Sequence, residues 1–99
     1  MGITQEYLKT ILTYNPDSGL MHWKVRKGRC LPGQLAGWLS ERGSVSIKID
    51  GKVYMARRLI WKYMTGMDPL HNIAVKDGCK DNDAWNNLYL EARRYRYEN

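Results

Sequence analysis

The sequence predicts an α+β domain on three observations: a strictly alternating segment closed by a tight-turn pair, a helical-period segment directly after it, and another near the amino terminus. Val45, Ile47 and Ile49 alternate with Ser46, Lys48 and Asp50, and Asp50-Gly51 suits a two-residue turn before Val53-Tyr54-Met55 resumes an extended pattern. From Ala56 onward, Leu59, Ile60, Tyr63 and Met64 share one helical face with Trp61 beside it, until Thr65-Gly66 stops the helix. At 99 residues the chain supports one compact core, and no internal repeat or long linker divides it. A helix packed on a small antiparallel sheet is the expected centre of the fold.

The amino-terminal helix follows from Thr4 as cap and from Tyr7, Leu8, Ile11 and Leu12 at helical spacing, with Glu6 in the first turn opposing the helix dipole favourably. Asn15-Pro16-Asp17-Ser18-Gly19 is dense in turn formers and ends it. Residues 20–25 carry large side chains suited to a half-buried strand, expected to complete a three-stranded antiparallel sheet with the hairpin. Residues 31–43, with Pro32 and three glycines, read as a structured loop carrying Trp38 into the core. After a linker at 67–72, a short strand at 73–75, a turn at Lys76-Asp77-Gly78 and a last helix over 88–94 complete the map. The expected organisation is a helix, sheet and helix unit at 1–66, a carboxy-terminal unit at 67–94 and a tail at 95–99.

Sixteen Lys and Arg against ten acidic residues give a formal charge of +6, which concentrates polyanions around the protein and favours a nucleic-acid partner. No run of about 18 apolar residues exists and no basic-then-apolar leader opens the chain, so a cytoplasmic protein is expected. Cys30 and Cys79 form no CxxC pair and read as free thiols. With His22 and His71 they match no familiar ligand spacing, and neither a metal nor another cofactor is expected.

The segment Ile73-Ala74-Val75-Lys76-Asp77-Gly78, the Asp81-Asn82 loop and Asn86-Asn87-Leu88 resemble the carboxy-terminal motif of HNH endonucleases of the phage homing type. The resemblance extends upstream through Tyr14-Asn15-Pro16-Asp17-Ser18-Gly19, Trp23-Lys24, Ala36-Gly37, Asp50-Gly51-Lys52-Val53-Tyr54 and the segment 56–66, where Arg57 stands at a position usually held by His. It therefore spans Tyr14 to Ala92 and implies a ββα-like carboxy-terminal remnant. In that family, the resemblance implies, an Asp and an Asn hold a divalent metal and a His deprotonates the attacking water. Those roles fall here on Ala74, Asn87 and Val75, with Asn82 at the loop Asn. A methyl group cannot ligate a metal and an isopropyl group cannot accept a proton, so the chemistry is expected to be lost. A rebuilt centre would need Asp77, Asp81, Asp83 or His71. Asn82 and Asn87 otherwise serve local backbone hydrogen bonds.

Three functions compete. The first is a non-cleaving, DNA-binding, degenerate HNH protein, with Arg26, Lys27, Arg29, Lys48, Lys52, Arg57, Arg58 and Lys62 on phosphates and a second basic patch at Arg93, Arg94 and Arg96. The second is a phage effector that binds and inhibits or redirects a host bacterial protein, in which the apolar strand at 73–75 helps form the contact. The third is a metal-dependent endonuclease with a displaced centre.

Overall fold

The computed structural model describes residues 1–91. The Thr4 hydroxyl accepts from the Tyr7 amide at 3.1 Å and opens helix α1 (Gln5–Ile11), as its sequence predicts. Leu12 leaves the helix in extended conformation and begins strand β1 (Leu12–Tyr14), which pairs antiparallel with β2 (Met21–Trp23). Between them the Asn15 side chain accepts from the amides of Asp17 and Ser18, building the expected turn.

β3 (Trp38–Leu39), β4 (Val45–Ile49) and β5 (Lys52–Met55) form the three-stranded antiparallel sheet in that spatial order. Asp50 and Gly51 both take positive φ, 51° and 85°, giving the primed turn that matches the twist of the flanking strands. β5 runs directly into α2 (Ala56–Thr65), which ends at Gly66. Leu8, Leu12, Ile47, Ile49, Leu59 and Ile60 are the fully buried centre, so both helices and the hairpin share one core.

Three expectations change. The third strand of the sheet is β3, drawn from the segment whose sequence reads as a loop, because residues 21–23 are already paired with β1. That segment is extended: Gln34 and Met21 carbonyls accept from Trp23 and Ala36 amides, both at 2.8 Å. Trp38 does not enter the core and is 47% exposed, because its pairing with Ser46 points it to the outer face of the sheet. Finally, residues 88–90 are strand β7 (Leu88–Leu90), paired antiparallel with β6 (Ile73–Val75), in place of the expected helix. The alternation of buried Leu88, exposed Tyr89 and half-buried Leu90 has the two-residue period of a strand. Residues 92–94 of that expected helix, the tail at 95–99 and the basic patch at Arg93, Arg94 and Arg96 lie outside the described residues.

Trp85 and Tyr14 help to dock the carboxy-terminal loop on the rest of the molecule. Trp85 packs against Trp61 with ring centroids 5.2 Å apart and planes tilted by 42°, and its amide donates to the Pro16 carbonyl at 2.9 Å. The Tyr14 hydroxyl donates to the Asp83 carbonyl at 2.6 Å, beside Gly19. No helix among the described residues is long and apolar enough to cross a membrane.

Candidate functional site

Ala74 and Val75 sit on β6 opposite Tyr89 and Leu88, both half-buried. The loop that follows is tied by one carboxylate and two amides. Asp77 Oδ1 accepts from the Cys79 amide at 2.8 Å and from Asn87 Nδ2 at 3.0 Å, while Oδ2 accepts from Asn82 Nδ2 at 2.7 Å. Asn87 Nδ2 also donates to the Asn82 carbonyl at 2.8 Å, and Asn87 Oδ1 accepts from the Asp77 amide at 3.1 Å. These donors, Asn82 foremost, then Cys79 and Asn87, hold the Asp77 carboxyl below the usual carboxylate range.

Asn87 lies on a single 3₁₀ turn (Trp85–Asn87) directly ahead of β7. Its amide is turned inward on the loop, where it closes the turn. Among the described residues no group of three His, Cys, Asp or Glu comes together to hold a metal ion, so Asp77, Asp81, Asp83 and His71 are not gathered into one centre. Asp77 serves the loop, whereas Asp83 faces Arg57.

Arg57, expected on phosphate, is buried and unavailable to it. It is 8% exposed, and its Nη1 donates to the Ile73 carbonyl at 2.9 Å while Nη2 donates to the Lys80 carbonyl at 2.8 Å and the Ser44 hydroxyl at 3.3 Å. It sits buried in the first turn of α2, where its guanidinium bonds both to Ser44 ahead of β4 and to the carboxy-terminal segment at Ile73 and Lys80. Beside it, Asp83 is 3% exposed and its Oδ1 has no hydrogen-bond partner. Burial pushes the Asp83 carboxyl up to about 6, with the Arg57 charge pulling the other way and Asp81 adding to the rise. The Tyr14 phenol is likewise raised, by burial first and by the Asp83 charge second.

The other basic residues divide by environment. Arg26, Arg29, Lys48 and Lys52 are exposed. Lys27 donates to Asp50 Oδ1 at 2.5 Å and to the Tyr7 hydroxyl at 2.9 Å, which raises its own pKa, lowers that of Asp50 and pins the loop 26–29 beside the hairpin tip. The Lys27–Asp50 pair thereby ties the loop that carries Arg26 and Arg29 to the hairpin that carries Lys48 and Lys52. Lys62 is tied to Asp68 at 2.8 Å, Arg58 is half-buried, and both lie on α2. A phosphate contact from Lys62 would compete with that ion pair. Lys24 is also exposed, its Nζ donating to the Lys9 carbonyl at 2.8 Å, and its sequence context conceals this because it reads as part of a strand. The buried Asp83 gives no local signal among three Asp residues in a polar loop.

The arrangement of a short helix, hairpin and helix followed by a tied loop between two short strands is an HNH-like fold. Residues across 79% of the chain superpose on the HNH homing endonuclease I-HmuI, whose structure is described as DNA binding and cleavage by that enzyme, with a TM-score of 0.55 and 21% identity. The chain spans 44% of that neighbour's length. No protein-family model and no curated protein matches the sequence.

Proposed function

We propose that this chain is a DNA-binding protein on an HNH-type scaffold that no longer cleaves. The observation that carries the reading is the likeness to a DNA-binding nuclease fold combined with Ala74 and Val75 at the positions where the motif places its carboxylate and its base. The ordered loop beneath them supports it, because Asp77, Asn82 and Asn87 hold each other in a geometry that needs no metal. The hairpin tip supplies the contact: Arg26, Arg29, Lys48 and Lys52 lie exposed beside a turn fixed by the Lys27 ion pair. Such residues position a protein on phosphates without reading bases, so weak sequence preference is expected. The bacterial cytoplasm of a phage-infected cell is the setting this reading implies.

Supercoiled plasmid incubated with Mg²⁺ or Mn²⁺, alongside duplex binding at low and high salt, tests it. Binding that weakens steeply with salt and no nicking is the expected result. Nicking abolished by Asn87→Ala would establish the rebuilt nuclease in its place. A second reading, a protein partner, is favoured by one observation: Trp38, Val53 and Met55 are exposed on one face of the three-stranded sheet.

A further inference from the structure

The outer face of the three-stranded sheet is unlike the hairpin tip. Trp38, Ser46 and Met55 form one cross-strand row and Lys48 and Val53 the next, so these side chains leave the sheet on the side away from the buried Ile47 and Ile49. A cleft of about 580 Å³ opens over the Trp38 row, lined also by Ser40, Glu41 and Arg42. Trp38 and Met55 are exposed on the two outer strands and the small Ser46 lies between them on β4. Two strand spacings, roughly 9.5 Å, separate the two walls and leave room for one flat ring in contact with both. Lys48 stands two residues along β4 from that row, about 7 Å away. Arg42 and Lys48 are exposed, and neither joins an ion pair among the described residues.

We propose that this slot holds an unpaired base of a DNA strand, stacked on the Trp38 indole and backed by Met55, while Arg42 and Lys48 take the phosphates on either side. The inference rests on the DNA-binding reading and names the form of DNA that the sheet selects. Trp38 offers a π-face and one N–H donor, and Val53 and Met55 offer no strong donor or acceptor. The centre of the face therefore cannot read base-pair edges in a groove and suits a base taken out of the stack. A volume of about 580 Å³ lies within the range of small-molecule sites, roughly 300–1,000 Å³, and admits one base with its sugar. Charge decides between nucleic acid and protein. An apolar protein surface laid on Trp38 and Val53 would cover Lys48 without pairing its ammonium, and a second copy of a chain of charge +6 would bring like charge to the same place. A phosphate strand answers both. Glu41 repels phosphate from its own end of the cleft and offers an acceptor there to the exocyclic amino group of a base.

The test compares two labelled DNAs of one sequence by anisotropy at a fixed low salt, an intact duplex and the same duplex carrying a short single-stranded gap. The full chain is expected to bind the gapped DNA about tenfold tighter, the gain that one base stacked on an aromatic ring supplies. Trp38→Leu, an exposed change that keeps the apolar surface and removes the π-face, should abolish the preference and leave intact-duplex affinity unchanged. Trp38→Tyr should restore most of the preference. Arg42→Ala should lower the affinity for gapped DNA, and its salt dependence, more than those for the intact duplex. Gapped DNA bound no tighter than intact, a preference that survives Trp38→Leu, or self-association of the free chain that Trp38→Leu dissolves would each overturn the proposal, the last by giving the face to a second copy. Intact-duplex binding without the preference strikes the base site alone, whereas binding to neither DNA strikes the proposed DNA function and this site with it.

Discussion

Arg57 Nε lies 4.0 Å from Asp83 Oδ1, beyond hydrogen-bonding reach, while the remainder of the guanidinium is engaged with the Ile73 and Lys80 carbonyls and the Ser44 hydroxyl. The charge of Arg57 thus faces Asp83, but its donors hold the carboxy-terminal loop against α2. Replacing Arg57 by Ala orphans the buried Ile73 carbonyl and the part-buried Lys80 carbonyl and leaves Asp83 without its nearest cation, an expected loss of about 3–5 kcal/mol by analogy with broken buried pairs. Arg57→Lys is expected to recover little, because a point ammonium cannot span three acceptors in the fork geometry of guanidinium. Urea unfolding of the three proteins measures this; a Lys variant as stable as the parent would show that charge alone matters.

The Asp83 carboxyl makes stability depend on pH in an unusual sense. Its folded pKa is raised to about 6, above the ordinary carboxylate value of about 3.9. Between those values the unfolded chain has released a proton that the folded chain keeps, so stability falls as pH rises through the window. Two pKa units bound the effect at roughly 3 kcal/mol. Asp50, Asp68 and Asp77 are lowered, so their contribution is lost only as pH falls through their depressed folded values, below the Asp83 window. Asp83→Asn is therefore expected to flatten the slope between about pH 4 and 6. Parallel slopes for the two proteins would place the raised pKa elsewhere.

Gly19 allows the β1–β2 turn to press on the carboxy-terminal loop. A Cβ there would stand 2.3 Å from the Ala84 nitrogen and 2.4 Å from the Asp83 carbonyl carbon, both backbone atoms that cannot rotate away. Its φ of 78° adds strain for any other residue. Gly19→Ala is expected to destabilise by about 2–4 kcal/mol, with the packing of Trp85 against Trp61 disrupted first as the loop lifts. Thermal melting followed by tryptophan fluorescence reads both; an unchanged midpoint would mean that the loop can lift without cost.

How much of the fold is legible in the sequence follows from how local each determinant is. The hairpin and α2 are written in periodicity and in the Asp50-Gly51 turn, and the structure agrees with both down to the Gly66 stop. β3 and β7 are short, and their pairing depends on which distant strand is free, so Trp38 and Leu88 carry no local mark of it. At the site, exposure does not follow from residue type. Arg57 and Arg58 look equivalent as neighbours on one helix, yet the first is buried under the carboxy-terminal loop. The orphaned carboxylate of Asp83 arises from packing between distant segments of the chain and has no sequence signature.

The basic tip makes a quantitative claim about DNA. Each phosphate neutralised releases condensed counterions and contributes about −0.9 to the slope of log affinity against log salt. Arg26 and Arg29 are exposed and flank a loop held by Lys27, so the Arg26→Ala, Arg29→Ala pair should reduce the slope by about 2 while leaving the fold intact. Lys62, already bonded to Asp68, should change it little when replaced by Ala, since that charge is compensated before DNA arrives. Anisotropy of a labelled duplex over a salt series measures all three slopes. A double variant with the parental slope would move the DNA contact away from the hairpin tip, and a large loss with Lys62→Ala would place it on α2.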